Sequence, residues 1–334
     1  MIPFHSLRRL TGAAALLACA VAATLAPTTA SALAFSDLVI FGDSLSDTGN
    51  LSLATSGAYP GTAQPYDGGR YSNGPVWTEY LATGLGLHYA ATPYQTGGNN
   101  YAYAGARTGG VLGGIPGLLG QTVGIWGANH AAADPNALYV LVGGSNDMRD
   151  ARSLVGGNDL TRQADALAAV TNLYQSMGYL AGKGAKNVLI SNLPDLGYTF
   201  EAVLLGKTAE SSNASLHFNN LIGGLEAYGD SLGMDVDVLD MNGALQQVRT
   251  NPAAFGITDI DHPCAGFAYS TGASCSTSLF SDVLHPSSRA HQIIASAAFQ
   301  ALGVTPVPEP ETVVLMLAGL VVVVGVARRR THLV

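Results

Sequence analysis

The sequence is poor in charge, cysteine and tryptophan. Only 11% of its 334 residues are charged, with 15 Lys and Arg against 23 Asp and Glu and a formal net charge of −8. A chain with so few cations lacks the basic cluster needed to grip a phosphate backbone, which excludes nucleic acid as a partner. Its three Cys include no second Cys/His pair at ligand spacing, so a zinc-finger design is also excluded. Long apolar runs are absent from residues 35–306 and occur only at the two ends, which rules out a multi-span membrane protein. No repeat or linker interrupts that central stretch, whose length suits one domain near the upper size limit.

The ends read as processing segments. Arg8 and Arg9 precede an apolar stretch from Leu10 to about Leu25, followed by Ala32-Leu33-Ala34. This is the pattern of a secretory signal peptide spanning 1–34, cleaved before Phe35. The alternative is a lipoprotein site at Leu16-Leu17-Ala18-Cys19, although the apolar run continues past Cys19. At the other end, Val307-Pro308-Glu309-Pro310 leads into an uncharged run from Thr312 to Ala327, closed by Arg328, Arg329 and Arg330. Sixteen helical residues rise about 24 Å, enough for one short anchor with its arginines left in the cytoplasm. This order resembles the PEP-CTERM sorting signal of Gram-negative bacteria. The resemblance implies passage through the secretion machinery, transient inner-membrane anchoring over residues 307–334, exosortase cleavage near the Pro-Glu-Pro, and a cell-surface or extracellular destination. A permanent tail anchor is the alternative.

Between the ends, residues 35–306 carry 10 basic and 21 acidic residues. Cys264 and Cys275 form an even pair in an exported chain, which predicts a disulfide. Four apolar runs end abruptly in polar turn residues: 37–41 before Gly42-Asp43-Ser44, 137–142 before Gly143-Gly144-Ser145-Asn146-Asp147, 187–191 before Asn192-Leu193-Pro194, and, more weakly, 236–240. Helical patterns lie between them, over about 161–181 with Ala164, Leu167, Ala168 and Leu173 in register, over about 212–232 with Leu216 and Leu225, and over 287–302 after Pro286. Alternating strands and helices, with continuously apolar strands, predict a three-layer α/β/α sandwich around a parallel sheet. In such folds the ligand crevice lies beyond the carboxyl ends of the strands, where Ser44 and Asn146 fall. Residues 51–136, with short helices near 76–85 and 118–130, read as a long excursion over that face.

A Ser on a turn directly after a strand can act as a nucleophile, although Gly-Asp-Ser alone is more often a cap or turn former. The spacing in Asp282-Val283-Leu284-His285-Pro286 lets one loop supply a base and the carboxylate that orients it; the same spacing also occurs in helix surface pairs and metal sites. His88, His130, His217, His262 and His291 are rival histidines, and His262 lies beside Asp259 and Asp261.

These stretches are similar to the blocks of the GDSL (SGNH) hydrolase family, in the family's order: Phe41 to Asn50, Asn100-Tyr101-Ala102-Tyr103-Ala104-Gly105-Ala106, Gly144-Ser145-Asn146-Asp147 and Asp282 to Pro286. The resemblance spans about Phe41 to Leu302. It implies a flavodoxin-like fold and a serine esterase or lipase that needs no metal or cofactor. Carried over, the family's roles make Ser44 the nucleophile, His285 the base and Asp282 the orienting carboxylate. The oxyanion hole would comprise the backbone N–H groups of Ser44 and Gly105 and the Asn146 side-chain amide. The implied substrates are lipids, short-chain esters or acetylated polysaccharide, and one branch of the family transfers acyl groups between lipids. A binding protein on a hydrolase scaffold, or a metal-dependent phosphoesterase using Asp43, Asp47, Asp147, Asp282 and His285, are the alternatives. One departure is Ser281, where related sequences carry Trp, which implies a missing aromatic beside the triad.

Overall fold

The computed structural model describes residues 34–153, 158–307 and 319. Residues 1–33 of the expected signal peptide and nearly all of the apolar C-terminal run lie outside the described residues. Among the described residues, no helix is long and apolar enough to cross a membrane.

Four parallel strands form the central sheet in chain order: β1 (Leu38–Gly42), β2 (Leu138–Val142), β3 (Asn187–Ser191) and β4 (Asp235–Leu239). Register is set from the first residue, with Leu38 opposite Leu138 and Leu138 opposite Asn187. Successive side chains point to opposite faces, and both faces are covered. Val39, Phe41, Tyr139, Leu141, Val188 and Ile190 pack under Leu173, Met177 and Phe218 on one side. Leu38, Ile40, Leu138, Val140 and Leu189 pack under Trp77, Leu81, Ile294 and Ala298 on the other. This double burial is why β1 and β2 are continuously apolar. β4 is paired on one side and only partly buried, so it tolerates Asp235 and Asp237.

The α-helices of eight or more residues are α1 (Trp77–Gly84), α2 (Ser145–Ser153), α3 (Asp159–Lys183), α4 (Thr208–Ile222), α5 (Gly224–Ser231), α6 (Met241–Thr250) and α7 (Ser288–Ala301). Local chemistry marks their ends. The Asn158 side chain caps α3, which stops at Gly184 in the left-handed region (φ 104°), and Ser287 caps α7 after Pro286.

Three expectations require correction. The helix expected over 212–232 is two helices broken at Gly223, where Tyr174 packs so closely that a side chain at Gly224 would collide with its hydroxyl. The expected faces hold only in part: Leu173 and Leu225 are buried as expected, but Leu167 and Leu216 are 57% and 55% exposed, and Ala166, Ala169 and Val170, with Ala214, Phe218 and Ile222, complete the faces turned to the sheet. Apolar residues occur on both sides of these helices, so spacing alone does not select the inner one. The stretch 51–136 is also more than an excursion. Its segment 99–103 runs along the free edge of β1, where the Tyr101 N–H donates to Ile40 and the Ile40 N–H to Asn99. Tyr101, Tyr103, Trp77 and Trp126 are all buried. The helix expected over 118–130 is wound mainly as π-helix from Gly120 to Trp126.

Beyond the sheet, β5 (Asp259–Pro263) and β6 (Ser278–Phe280) pair in parallel. Between them lies the loop closed by the Cys264–Cys275 disulfide, whose Cα atoms are 4.8 Å apart.

Candidate active site

Ser44 stands two residues past the end of β1. Buried Gln121 holds that end in place, accepting from the Gly42 N–H at 2.8 Å and donating to the Gly42 carbonyl at 2.8 Å. A Cβ at Gly42 would press on Ser46 at 3.0 Å and on the Val142 carbonyl at 3.1 Å, so glycine gives the closest fit there. The turn continues through Asp47, whose carboxylate accepts from the N–H groups of Gly49, Asn50, Leu51 and Ala104. That last bond fixes the Ala104–Gly105 segment beside Ser44.

His285 arrives from the loop after β6. Its Nε2 lies 2.9 Å from the Ser44 Oγ and its Nδ1 lies 2.7 Å from the Asp282 Oδ2. The other carboxylate oxygen, Oδ1, accepts from the backbone N–H groups of Leu284 (2.7 Å) and His285 (2.6 Å). Ser281 is buried and donates to the carbonyls of His285 and Pro286, while the Glu201 N–H donates to the Val283 carbonyl. Burial alone would raise the Asp282 carboxyl pKa. The facing His285 ring, the Tyr66 hydroxyl and the His285 N–H outweigh it and hold the group down at about 2.

The Asn146 amide sits at the start of α2, where Gly144 takes φ 117° and a Cβ would strike Phe218. Its orientation follows from its partners. Arg149 donates to Oδ1 at 3.0 Å, and Nδ2 donates one hydrogen to the Ala106 carbonyl at 2.9 Å, leaving the second amide hydrogen available. Gly105 has φ 81°, a conformation costly for any side chain, and neither its N–H nor that of Ser44 has a hydrogen-bond partner among the described residues. Asp43 is fully buried, with one oxygen bound by the Leu45 N–H and the other without a partner; burial raises it to about 6.

A cleft open at its mouth extends from Ser44 and His285 between the strand ends and α6. Its apolar walls are Leu45, Leu196, Leu245, Leu279, Phe280 and Leu284. None of the aromatics of 51–136 lines it. Tyr66 and Tyr71 instead pack against Asp282 and His285, a placement that periodicity could not reveal. His262 pairs with Asp259 and lies tilted against Phe200, not against Ser44, and His291 is buried on α7, its pKa lowered to about 3 by that burial. Asp147 is bound by Thr108 rather than facing His285.

The family model for the GDSL-like lipase/acylhydrolase matches residues 38–298, and that for the PEP-CTERM protein-sorting motif matches residues 306–330. The chain is 30% identical over 236 residues to a phosphatidylcholine-sterol acyltransferase of Aeromonas hydrophila, covering 71% of this chain and 67% of the relative. It is 25% identical over 289 residues to a thermolabile hemolysin of Vibrio parahaemolyticus, covering 79% of this chain and 63% of the relative. An acetylxylan esterase of Geobacillus stearothermophilus superposes with a TM-score of 0.46 at 14% identity, covering 83% of this chain and 99% of that one. The chain therefore belongs to the GDSL-like lipase/acylhydrolase family, is a hydrolase of ester bonds, and ends in a PEP-CTERM protein-sorting motif.

Proposed function

We propose that the protein is an exported serine esterase that cleaves carboxylic esters through an acyl-Ser44 intermediate. The observation that carries this reading is the chain of contacts from Ser44 through His285 to Asp282, at 2.9 and 2.7 Å, beside the N–H groups of Ser44 and Gly105 and the Asn146 amide. The Ser44 hydroxyl gives its proton to His285 Nε2 as Oγ bonds to the ester carbonyl carbon. Charge developing on the carbonyl oxygen is met by the three donors. The tetrahedral adduct collapses, the ester C–O bond breaks, and His285 returns the proton to the departing alkoxide. Water then repeats the sequence on the acyl-enzyme, releasing the acid and restoring the Ser44 hydroxyl. Asp282 keeps the imidazole in one tautomer and stabilises its cationic form.

The apolar cleft beside Ser44 supports an aliphatic acyl chain as the bound portion, favouring acyl lipids and fatty esters over acetylated sugars. A second reading is acyl transfer to an alcohol in place of water, favoured by the 30% identity to the Aeromonas acyltransferase. In this account residues 1–34 are a signal peptide, 35–306 the hydrolase domain, and the tail an anchor that an exosortase removes.

A series of p-nitrophenyl esters from acetate to palmitate, assayed by rapid mixing, tests the reading. A burst of nitrophenol equal to the enzyme present, with a preference for esters longer than acetate, supports it. A strict acetate preference contradicts the role of the cleft, and ester hydrolysis undiminished in Ser44→Ala contradicts the intermediate. Added long-chain alcohol separates the two readings, since transfer consumes the acyl-enzyme as a new ester.

A further inference from the structure

Asp282 has a third class of donor besides its histidine and its own backbone. The Tyr66 hydroxyl donates to Oδ2 at 2.6 Å, on the same oxygen that takes the His285 Nδ1 hydrogen at 2.7 Å. With two N–H groups on Oδ1, the carboxylate then holds four hydrogen bonds, two per oxygen, which leaves it no freedom to rotate. Tyr66 is itself braced. Phe267 meets its ring edge-on at 5.2 Å, and Tyr71 lies against it at 5.3 Å while also covering the His285 ring at 5.0 Å. Phe267 belongs to the disulfide-closed loop, which also donates from the Ala268 N–H to Gln64, two residues before Tyr66. These three aromatics occupy the surroundings of a dyad whose own loop carries Ser281.

We propose that Tyr66 is a positioning residue of the hydrolase, its hydroxyl holding Asp282 in the orientation that keeps His285 Nε2 on Ser44, with Phe267 and the Cys264–Cys275 loop bracing it from behind. This rests on the reading of Ser44, His285 and Asp282 as the triad. Tyr66 lines none of the acyl cleft, so its role separates from substrate binding. Its hydroxyl also withdraws charge from the Asp282 carboxylate. Without it, more of that charge faces the imidazole, the imidazolium is favoured, and the neutral base appears only at higher pH. The other ionisable groups around His285 are Asp43 after β1, His291 on α7, Arg149 on α2 and Tyr71, and none of them changes in a Tyr66 variant.

The test is steady-state ester hydrolysis by the full domain and its Tyr66→Phe variant between pH 5 and 9. The expected result is a kcat about tenfold lower, KM within about twofold, and a half-rise of activity about half a pH unit higher. Phe267→Ala, which leaves the hydroxyl but removes its brace, is expected to shift both quantities in the same direction by less. A folded Tyr66→Phe protein with wild-type kcat and an unmoved profile overturns the proposal, as does a change confined to KM. Ser44→Ala is assayed in parallel. Loss of activity there with a silent Tyr66→Phe overturns the role of Tyr66 alone, whereas full activity of Ser44→Ala overturns the triad and the proposal with it.

Discussion

Replacing Asn146 with Ala removes one of three donors from the proposed oxyanion hole while leaving Ser44, His285 and Asp282 in place. Loss of one such donor costs about 2.7–4 kcal/mol of transition-state stabilisation, so kcat is expected to fall about 10²- to 10³-fold. KM should change little, because the amide meets charge that exists only in the tetrahedral state. The same change frees the Ala106 carbonyl and one Arg149 hydrogen bond, a stability loss of about 1–3 kcal/mol that a thermal melt would register separately from the kinetics. Asn146→Asp sharpens the argument. Arg149 would still have an oxygen to bind, but the second oxygen would face the Ala106 carbonyl and the developing oxyanion, so this variant should be slower than Ala despite its closer shape. Kinetics on a p-nitrophenyl ester with all three proteins decide the matter. An Asn146→Ala enzyme within threefold of wild-type kcat, or an Asp variant that outperforms Ala, would refute the placement of the amide in the hole.

Stability should depend on pH in two directions. Asp282 sits at about 2 when folded, below its ordinary value, so its contribution of roughly 2 kcal/mol is present above pH 4 and lost as pH falls through 2. Asp43 sits at about 6, above its ordinary value, so stability of roughly 3 kcal/mol is present below pH 4 and lost as pH rises through 6. Buried neutral His291, held at about 3, acts in the opposite sense, its contribution falling away as pH drops below about 6.5, so the Asp43 effect is read by difference: relative to wild type, Asp43→Asn should gain stability as pH rises from 4 to 7 in denaturant melts, and parallel curves would contradict the burial argument. The disulfide closes a short loop, and its replacement by Cys264→Ser with Cys275→Ser is expected to cost about 3 kcal/mol in chemical denaturation, with no loss indicating a loop already ordered without it. A Trp at position 245 or 279 would fill the cleft, shifting preference toward acetyl and butyryl esters; an unchanged chain-length profile would place the acyl chain elsewhere.

Much of the molecule was legible in the sequence because β1 and β2 are buried on both faces and stop at glycines. β1 and β2 appear as apolar runs stopped by Gly42 and Gly143, and β4 appears weakly because it is an edge strand that alternates with Asp. Asp282 and His285 share one loop, so their pairing was visible as spacing. The inner faces of α3 and α4 were not, because Leu167 and Leu216 compete with the true core positions in the same period. Pairing of segment 99–103 with β1 depends on a contact 60 residues away in the chain. Tyr66 depends on one 216 residues away, and a tyrosine that reaches a carboxylate carries the same local pattern as one that packs. The absence of an aromatic at Ser281 implies an uncovered dyad; the cover comes instead from Tyr66 against Asp282 and Tyr71 against His285, supplied by a distant loop.

The central claim is that Ser44 is the nucleophile. Intact-mass and peptide analysis of residues 35–306 treated with a fluorophosphonate, with EDTA present throughout, tests it most directly. The account predicts one phosphonyl adduct, located on the peptide containing Ser44, formed at the same rate with or without EDTA and absent from Ser44→Ala. A folded wild-type protein that takes no adduct, or a Ser44→Ala protein that is still labelled and still cleaves ester, would contradict it.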